Sequence, residues 1–198
     1  MPFIAVTGSY CSGKSTVIEI FRQLGAVIYD IDKETAKFYR KSSPLYRELI
    51  RIFGETILDK RGDILKEKVA EIVFSSKEKL SSLNELTHPR LIEALEKFLK
   101  TKNRESMVVV EVPLLFESGL QRMFDYSILV VSPRLLSLHR AKRGRKIREE
   151  DFRRRLSFQL PEKRKKKLAD FVIKNDGTKN DLKRKVVRIW KKIVHHQN

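Results

Sequence analysis

The sequence has a single cysteine, Cys11, so no disulfide can form within the chain and no Cys/His set with zinc-ligand spacing can be assembled. No apolar run approaches the ~20 residues of a membrane-spanning helix, so no membrane partner is expected. The opening residues, MPFIAVTG, lack a basic stretch followed by a long apolar core, and they read as a first strand rather than a leader. There is no internal repeat and no Gly/Ser- or Pro-rich linker. Acidic residues are scarce in one region. Residues 134–198 hold 23 Lys and Arg against 7 Asp and Glu, a net of +16 out of +18 for the whole chain. The expected setting is a soluble, cytoplasmic protein, and 198 residues suffice for one α/β domain with inserted pieces. The charge admits three readings: a nucleic-acid footprint, arginines that hold a small polyanion, or a solvated surface rich in Lys, Arg and Glu.

One motif is present in full. VTGSYCSGKSTV contains Gly8, four residues, then Gly13, Lys14 and Ser15, the spacing of a phosphate-holding loop. Small residues let backbone N–H groups curl around phosphate oxygens, and the helix that follows points its positive end at the same anion. Gly8, Cys11, Ser12, Gly13, Lys14, Ser15 and Thr16 are therefore expected to hold a nucleotide. Lys14 should reach the β- and γ-phosphates, and the Ser15 hydroxyl should sit on Mg²⁺. Cys11 is a small filler here, with no histidine near it in sequence to activate a thiol.

The context supports the motif. FIAV, a buried strand, precedes the loop, and KSTVIEIFRQLG follows it with helical spacing and a glycine stop. AVIY, MVVVEV, YSILVV and DFVI read as further buried strands of a parallel sheet covered on both faces. Between the second and third strands lies a long stretch of helical pattern, more than a crossover needs. SPLYRELIRIF should start a helix with Ser43 as N-cap and Pro44 in the first turn, and HPRLIEALEKFL should be another helix. PRLLSLHRAKRG and EEDFRRRLSFQL read as two helices with a basic joint. KRKKK (163–167) reads as a solvated face. DLKRKVVRIWKKIV should be a closing amphipathic helix that packs Val186, Ile189, Trp190 and Ile193 on the core.

Other side chains are placed by strand ends, since ligands of open parallel sheets bind outside the carboxyl ends of strands. Asp30 and Asp32, in DID, follow the second strand. One could take a proton from an attacking hydroxyl and the other could cap the next helix, with Asp30 the first choice for the base. Glu111 and Glu117 are candidates for contact with metal-bound water or substrate. Pro113 and Leu114 turn the chain over the cleft. Arg140, Arg143, Arg148 and Arg155 suit the charge that spreads over a transferring phosphoryl group, and His88, before Pro89, is a candidate ligand contact.

Seven segments, in order and spanning almost the whole chain, make it resemble the dephospho-coenzyme A kinase family: VTGSYCSGKST, GAVIYDID, LNELTHPRLI, VVEVPLLFESGL, LVVSPRLLSLHRAKRG, RLSFQ and ADFVIKNDGT. The resemblance implies transfer of the ATP γ-phosphate to the ribose 3′-hydroxyl of dephospho-CoA, the last step of coenzyme A synthesis. It implies a P-loop NTPase-type parallel sheet flanked by helices, with a helical substrate-binding insertion and a helical lid. The core would be 1–32, 105–133 and 167–198, the insertion 33–104 and the lid 134–166. In this family the first aspartate of the strand-end pair, here Asp30, is the proposed base. Arg140 matches the lid arginine, and Asn175, Asp176 and Gly177 would lie by the adenine. Asp32, His88, Pro113, Leu114 and Glu117 would face the substrate, and Arg143 the nucleotide. The expected partner is the small molecule alone, with no nucleic acid required, bound to a monomer or small homo-oligomer. The sequence departs from the family where glycines usually stand at Ser9 and Cys11, and where a glutamine is common at Ser137. Another P-loop kinase, acting on a nucleoside or nucleotide, is the nearest alternative; a nucleic-acid-binding NTPase is a more distant one.

Overall fold

The structure is a computed structural model that describes residues 2–73, 75–101, 107–145 and 147–195, with the side chains of Asp32, Leu99 and Arg145 outside the description. Its centre is β1 (Phe3–Gly8), six residues that are all buried. An unbroken buried strand needs both faces of its sheet covered, which is the parallel-sheet pattern. β1 pairs in parallel with β3 (Val108–Glu111) on one side and β4 (Tyr126–Val131) on the other. β2 (Val27–Tyr29) lies outside β3, and β5 (Phe171–Lys174) outside β4, giving the order β2-β3-β1-β4-β5. The register sets Glu111 opposite Val6, so the carboxylate leaves β3 beside the loop that follows β1.

The chain divides into two compact units, Met1–Tyr29 with Asn103–Asn198, and Asp30–Lys102. In the first, α1 (Lys14–Gln23) and α9 (Lys179–His195) pack against each other, with the rings of Phe21 and Trp190 6.2 Å apart. Val17, Ile18 and Phe21 from α1 join Val186, Ile189 and Ile193 from α9 in one core with the strand residues Ile4, Val6, Val109, Ile128 and Val130. The face expected of the closing helix is the face that is buried, because only those positions recur at a period of 3.6. The same unit carries α6 (Arg134–Arg145), α7 (Glu149–Ser157) and α8 (Glu162–Leu168).

The second unit is helical: α2 (Ile31–Phe38), α3 (Tyr46–Phe53), α4 (Lys66–Val73) and α5 (Lys77–Lys100), with α5 packed on the other three. Two expectations are corrected here. α3 begins at Tyr46, after Ser43 and Pro44; the Ser43 hydroxyl accepts from the Leu45 N–H and its carbonyl from the Tyr46 N–H, so Ser43 organises a turn ahead of the helix. Pro89, placed by sequence near a helix start, lies inside the 24-residue α5. A proline there gives the Glu85 carbonyl no helical donor and presses on it. The helix continues because Leu91 and Leu95, on its second half, are buried. Among the described residues no helix is long and apolar enough to cross a membrane.

Candidate active site

The carboxyl end of β1 is the switch point of the sheet, since the chain passes to β2 and β3 on one side and to β4 and β5 on the other. The phosphate loop occupies it. Gly13 ends the loop as the N-cap of α1 with φ 96°, and Lys14 opens the helix. Lys14 is buried, and its Nζ donates to the carbonyls of Gly8 and Ser9, each at 3.3 Å. Glu111 Oε1 is 3.9 Å from the same ammonium, and Glu111 Oε2 accepts from the Ser15 hydroxyl at 3.4 Å. Ser15 and Thr16 are exposed at the first turn. Ammonium, hydroxyl, carboxylate and a helix N-terminus thus converge on the loop. The Ser15 and Glu111 oxygens are hard donors of the kind Mg²⁺ takes. Among the described residues no group of three or more His, Cys, Asp or Glu could hold a metal ion.

Two more elements hold the loop from behind. The Ser12 carbonyl accepts from Asn175 Nδ2 at 2.8 Å and from an Arg140 guanidinium nitrogen at 3.3 Å; the latter also donates to Ser132 Oγ at 3.1 Å. Asn175 follows β5 and is buried, and its own N–H bonds the Val131 carbonyl. Tyr10, at the loop tip, meets α7. The Arg155 guanidinium lies over its ring at 5.2 Å, and the Phe152 ring is 6.1 Å away. A cavity of about 310 Å³ opens there, with Ser9, Tyr10, Ser137, Phe152 and Leu160 in its wall. The resemblance named Asn175 as a nucleotide contact, but not its bond to Ser12, and sequence reasoning missed Tyr10, which carries no pattern of its own; only the fold brings the two to the loop.

Asp30, not Asp32, is the helix cap: it precedes α2, and its Oδ1 accepts the Lys33 N–H at 3.0 Å. Asp32 lies in the first turn of α2, its side chain outside the described set. His88, in α5, is half-buried, and desolvation lowers its pKa, so at neutral pH its imidazole offers a hydrogen bond and no charge. Pro113 and Leu114 are half-buried in the turn after β3, where the Pro113 carbonyl accepts from the Thr7 hydroxyl. Arg143 and Arg148 are exposed. Gly177 lies before α9, where a Cβ would come within 2.8 Å of Asp181 Oδ2. Asp176 is paired with Lys185, whose hydrogen bond lowers its pKa. The solvated-face reading of KRKKK is corrected at Lys165, which is fully buried, with Nζ 2.7 Å from Glu117 Oε1. Glu117, expected toward substrate, faces inward: the same oxygen accepts the Leu160 N–H at 2.8 Å.

A family model described as dephospho-CoA kinase matches residues 2–181. The chain belongs to the dephospho-CoA kinase family. It is 40% identical to the dephospho-CoA kinase of Aquifex aeolicus over 195 residues, covering 98% of each chain. It is 39% identical to the dephospho-CoA kinase of Fusobacterium nucleatum over 190 residues, covering 96% of this chain and 97% of that protein. A solved dephospho-CoA kinase from Campylobacter jejuni superposes with TM-score 0.69 at 31% identity, over 99% of this chain and 98% of that one. A protein from Thermus thermophilus gives TM-score 0.82 at 30% identity, over 96% and 97%. The shikimate kinase of Acinetobacter baumannii shares the fold at TM-score 0.55, with 18% identity over 97% and 94%.

Within the loop, Cys11 carries a conformational cost. Among the described non-glycine residues Cys11 alone has positive φ, at 58°. A side chain in that region costs ~1–2 kcal/mol, against ~0.5–1 kcal/mol for the extra freedom of glycine in the unfolded chain. Cys11→Gly should therefore gain up to about 1.5 kcal/mol, a rise in Tm of up to about 6 °C. Cys11→Val, β-branched, should lower Tm. Thermal unfolding of the two variants checks this, and a Cys11→Gly protein less stable than wild type overturns it.

Proposed function

We propose that the chain, as a monomer or small homo-oligomer in the cytoplasm and without a nucleic-acid partner, transfers the γ-phosphoryl group of ATP to the ribose 3′-hydroxyl of dephospho-CoA, giving coenzyme A and ADP. The observation that carries this reading is the buried Lys14 over the loop carbonyls with Ser15 and Glu111 beside it, in a chain whose family is dephospho-CoA kinase. Lys14 now spends its ammonium on two neutral carbonyls at 3.3 Å. A phosphate oxygen entering the loop is a charged and stronger acceptor, so Lys14 turns to it. Gly8, Cys11, Ser12, Gly13 and Thr16 complete the cradle with backbone N–H groups. The Ser15 hydroxyl and the Glu111 carboxylate would hold Mg²⁺, which when bound would neutralise phosphate charge.

Arg140, anchored at the loop edge, adds positive charge, and Arg143 and Gly177 lie toward the nucleotide. Residues 33–104 bind dephospho-CoA, His88 among them, Asp32, Pro113 and Leu114 join from the core, and 134–166 serve as the lid. Asp30 takes the proton of the attacking hydroxyl. Its cap bond uses Oδ1, and the Lys33 ammonium, 3.5 Å from Oδ2, is a surface pair of little strength. The cap bond orients the carboxylate while Oδ2 remains able to accept a proton.

The capping role also makes Asn the right substitution. Asparagine caps a helix about as well as aspartate, so Asp30→Asn removes the base and keeps the helix start. We expect kcat to fall by about 10²–10⁴-fold with little change in either KM. The assay is ADP release from MgATP with dephospho-CoA, AMP or adenosine as acceptor. Equal turnover with AMP or adenosine would point to a nucleotide or nucleoside kinase. Stimulation by DNA or RNA alone would make the basic segment a nucleic-acid footprint.

A further inference from the structure

The resemblance sets Asn175 beside the adenine of ATP, yet the structure commits its side chain elsewhere. Its Nδ2 donates to the Ser12 carbonyl at 2.8 Å, and the residue is only 6% exposed. The same carbonyl accepts from Arg140, which is itself tied to Ser132. The Ser12–Gly13 peptide is trans, since no cis peptide occurs among the described residues. In a trans peptide the C=O and N–H point in opposite directions. Two donors on the Ser12 oxygen therefore fix the direction of the Gly13 N–H, on the far side of the same peptide plane. They also polarise it. Hydrogen bonds to a carbonyl strengthen the donor on the same amide, and a guanidinium is a charge-assisted donor.

The packing agrees. A Cβ on Gly13 would lie 2.1 Å from Asn175 Nδ2 and 3.6 Å from the Arg140 guanidinium, so the two side chains fill the space that a side chain at Gly13 would need.

We propose that Asn175 is a positioning residue of the phosphate loop: with Arg140 it aims and polarises the Ser12–Gly13 peptide toward a bound polyphosphate, and it acts on the nucleotide through that peptide and not through the base. The inference rests on the loop binding a polyphosphate, part of the function proposed above, and it needs no acceptor and no turnover. It separates from a base contact by one comparison. A residue that reads adenine matters for ATP and not for inorganic tripolyphosphate; a residue that sets the loop matters equally for both.

The experiment is calorimetric titration of wild type and Asn175→Ala with MgATP and with magnesium tripolyphosphate, with Tm measured beside it. The expected result is a loss of about 10-fold for both ligands by the same factor. A merely structural role would lower Tm and leave both affinities of the folded protein unchanged. If Asn175→Ala does not fold, Asn175→Ser serves, because its hydroxyl is too short to reach Ser12 and the same paired loss is expected. Weaker ATP with unchanged tripolyphosphate assigns Asn175 to the base and overturns the proposal. So does an unchanged affinity for both, or a wild-type protein that holds ATP and not tripolyphosphate. Failure of the phosphotransfer reading appears in the acceptor assay instead, and leaves this ratio readable.

Discussion

Gly13→Ala should weaken MgATP binding by between about 30- and about 5,000-fold. Two costs combine at this residue. Its φ of 96° belongs to the left-handed region, and a methyl group there would stand 2.1 Å from Asn175 Nδ2. The backbone strain is ~1–2 kcal/mol, and driving Asn175 off its buried bond to Ser12 leaves polar groups unmatched at ~1–3 kcal/mol, together about 2–5 kcal/mol. At ~1.4 kcal/mol per decade this gives the range stated, provided the loop relieves the clash by leaving its binding conformation. Gly25 supplies the control. Its φ is 98°, and nothing lies within 4 Å of a Cβ built on it. Gly25→Ala should lose up to about 1.5 kcal/mol of stability, the strain less the unfolded-chain freedom of glycine, and bind MgATP like wild type. Titration of both variants, with Tm, decides the matter; equal MgATP affinities for the two would mean that the approach of Asn175 to Gly13 is without consequence.

The contrast between these glycines shows where the sequence was legible. Continuous apolar runs marked the buried strands, because a sheet covered on both faces leaves no polar alternate positions, as all six residues of β1 illustrate. The loop motif was legible because glycine, lysine and serine at that spacing serve one local geometry. The closing helix declared its buried face through Val186, Ile189 and Ile193. The failures are tertiary. Proline propensity argued for a helix start at Pro89, and burial of Leu91 and Leu95 carried α5 through it. Asp32 was the expected cap of the next helix, and the backbone chose Asp30. Asn175 looked like part of a short terminal motif near the base, while its partner is Ser12, at the other end of the chain. Some cations of the basic segment do lie on solvated helix faces and pair with near neighbours, as Arg153 does with Glu149 and Lys166 with Glu162.

Lys165 is the exception among them, and its removal should be the most damaging change to stability outside the loop. The four lysines of KRKKK look alike in sequence; the one that matters is selected by Glu117, in the turn after β3. The ammonium is fully buried and the carboxylate 10% exposed, with 2.7 Å between them. Glu117 Oε1 also holds the Leu160 N–H, so the pair pins the segment between α7 and α8 to the turn that follows the Glu111 strand. Lys165→Met leaves the carboxylate buried with its cation gone. Breaking one half of a buried pair costs ~3–5 kcal/mol, far more than the pair itself contributes over an uncharged replacement. For a chain of this length that is a fall in Tm of about 6–20 °C. Glu117→Gln in the Lys165→Met background removes the stranded charge while its amide oxygen still accepts from Leu160, so the double variant should regain most of the loss. The recovery is the decisive measurement, because the pair is in direct contact and the two substitutions must be non-additive if the charge is the cause. A double variant as unstable as Lys165→Met alone would mean that the lost lysine stem, and not the unpaired carboxylate, accounts for the damage.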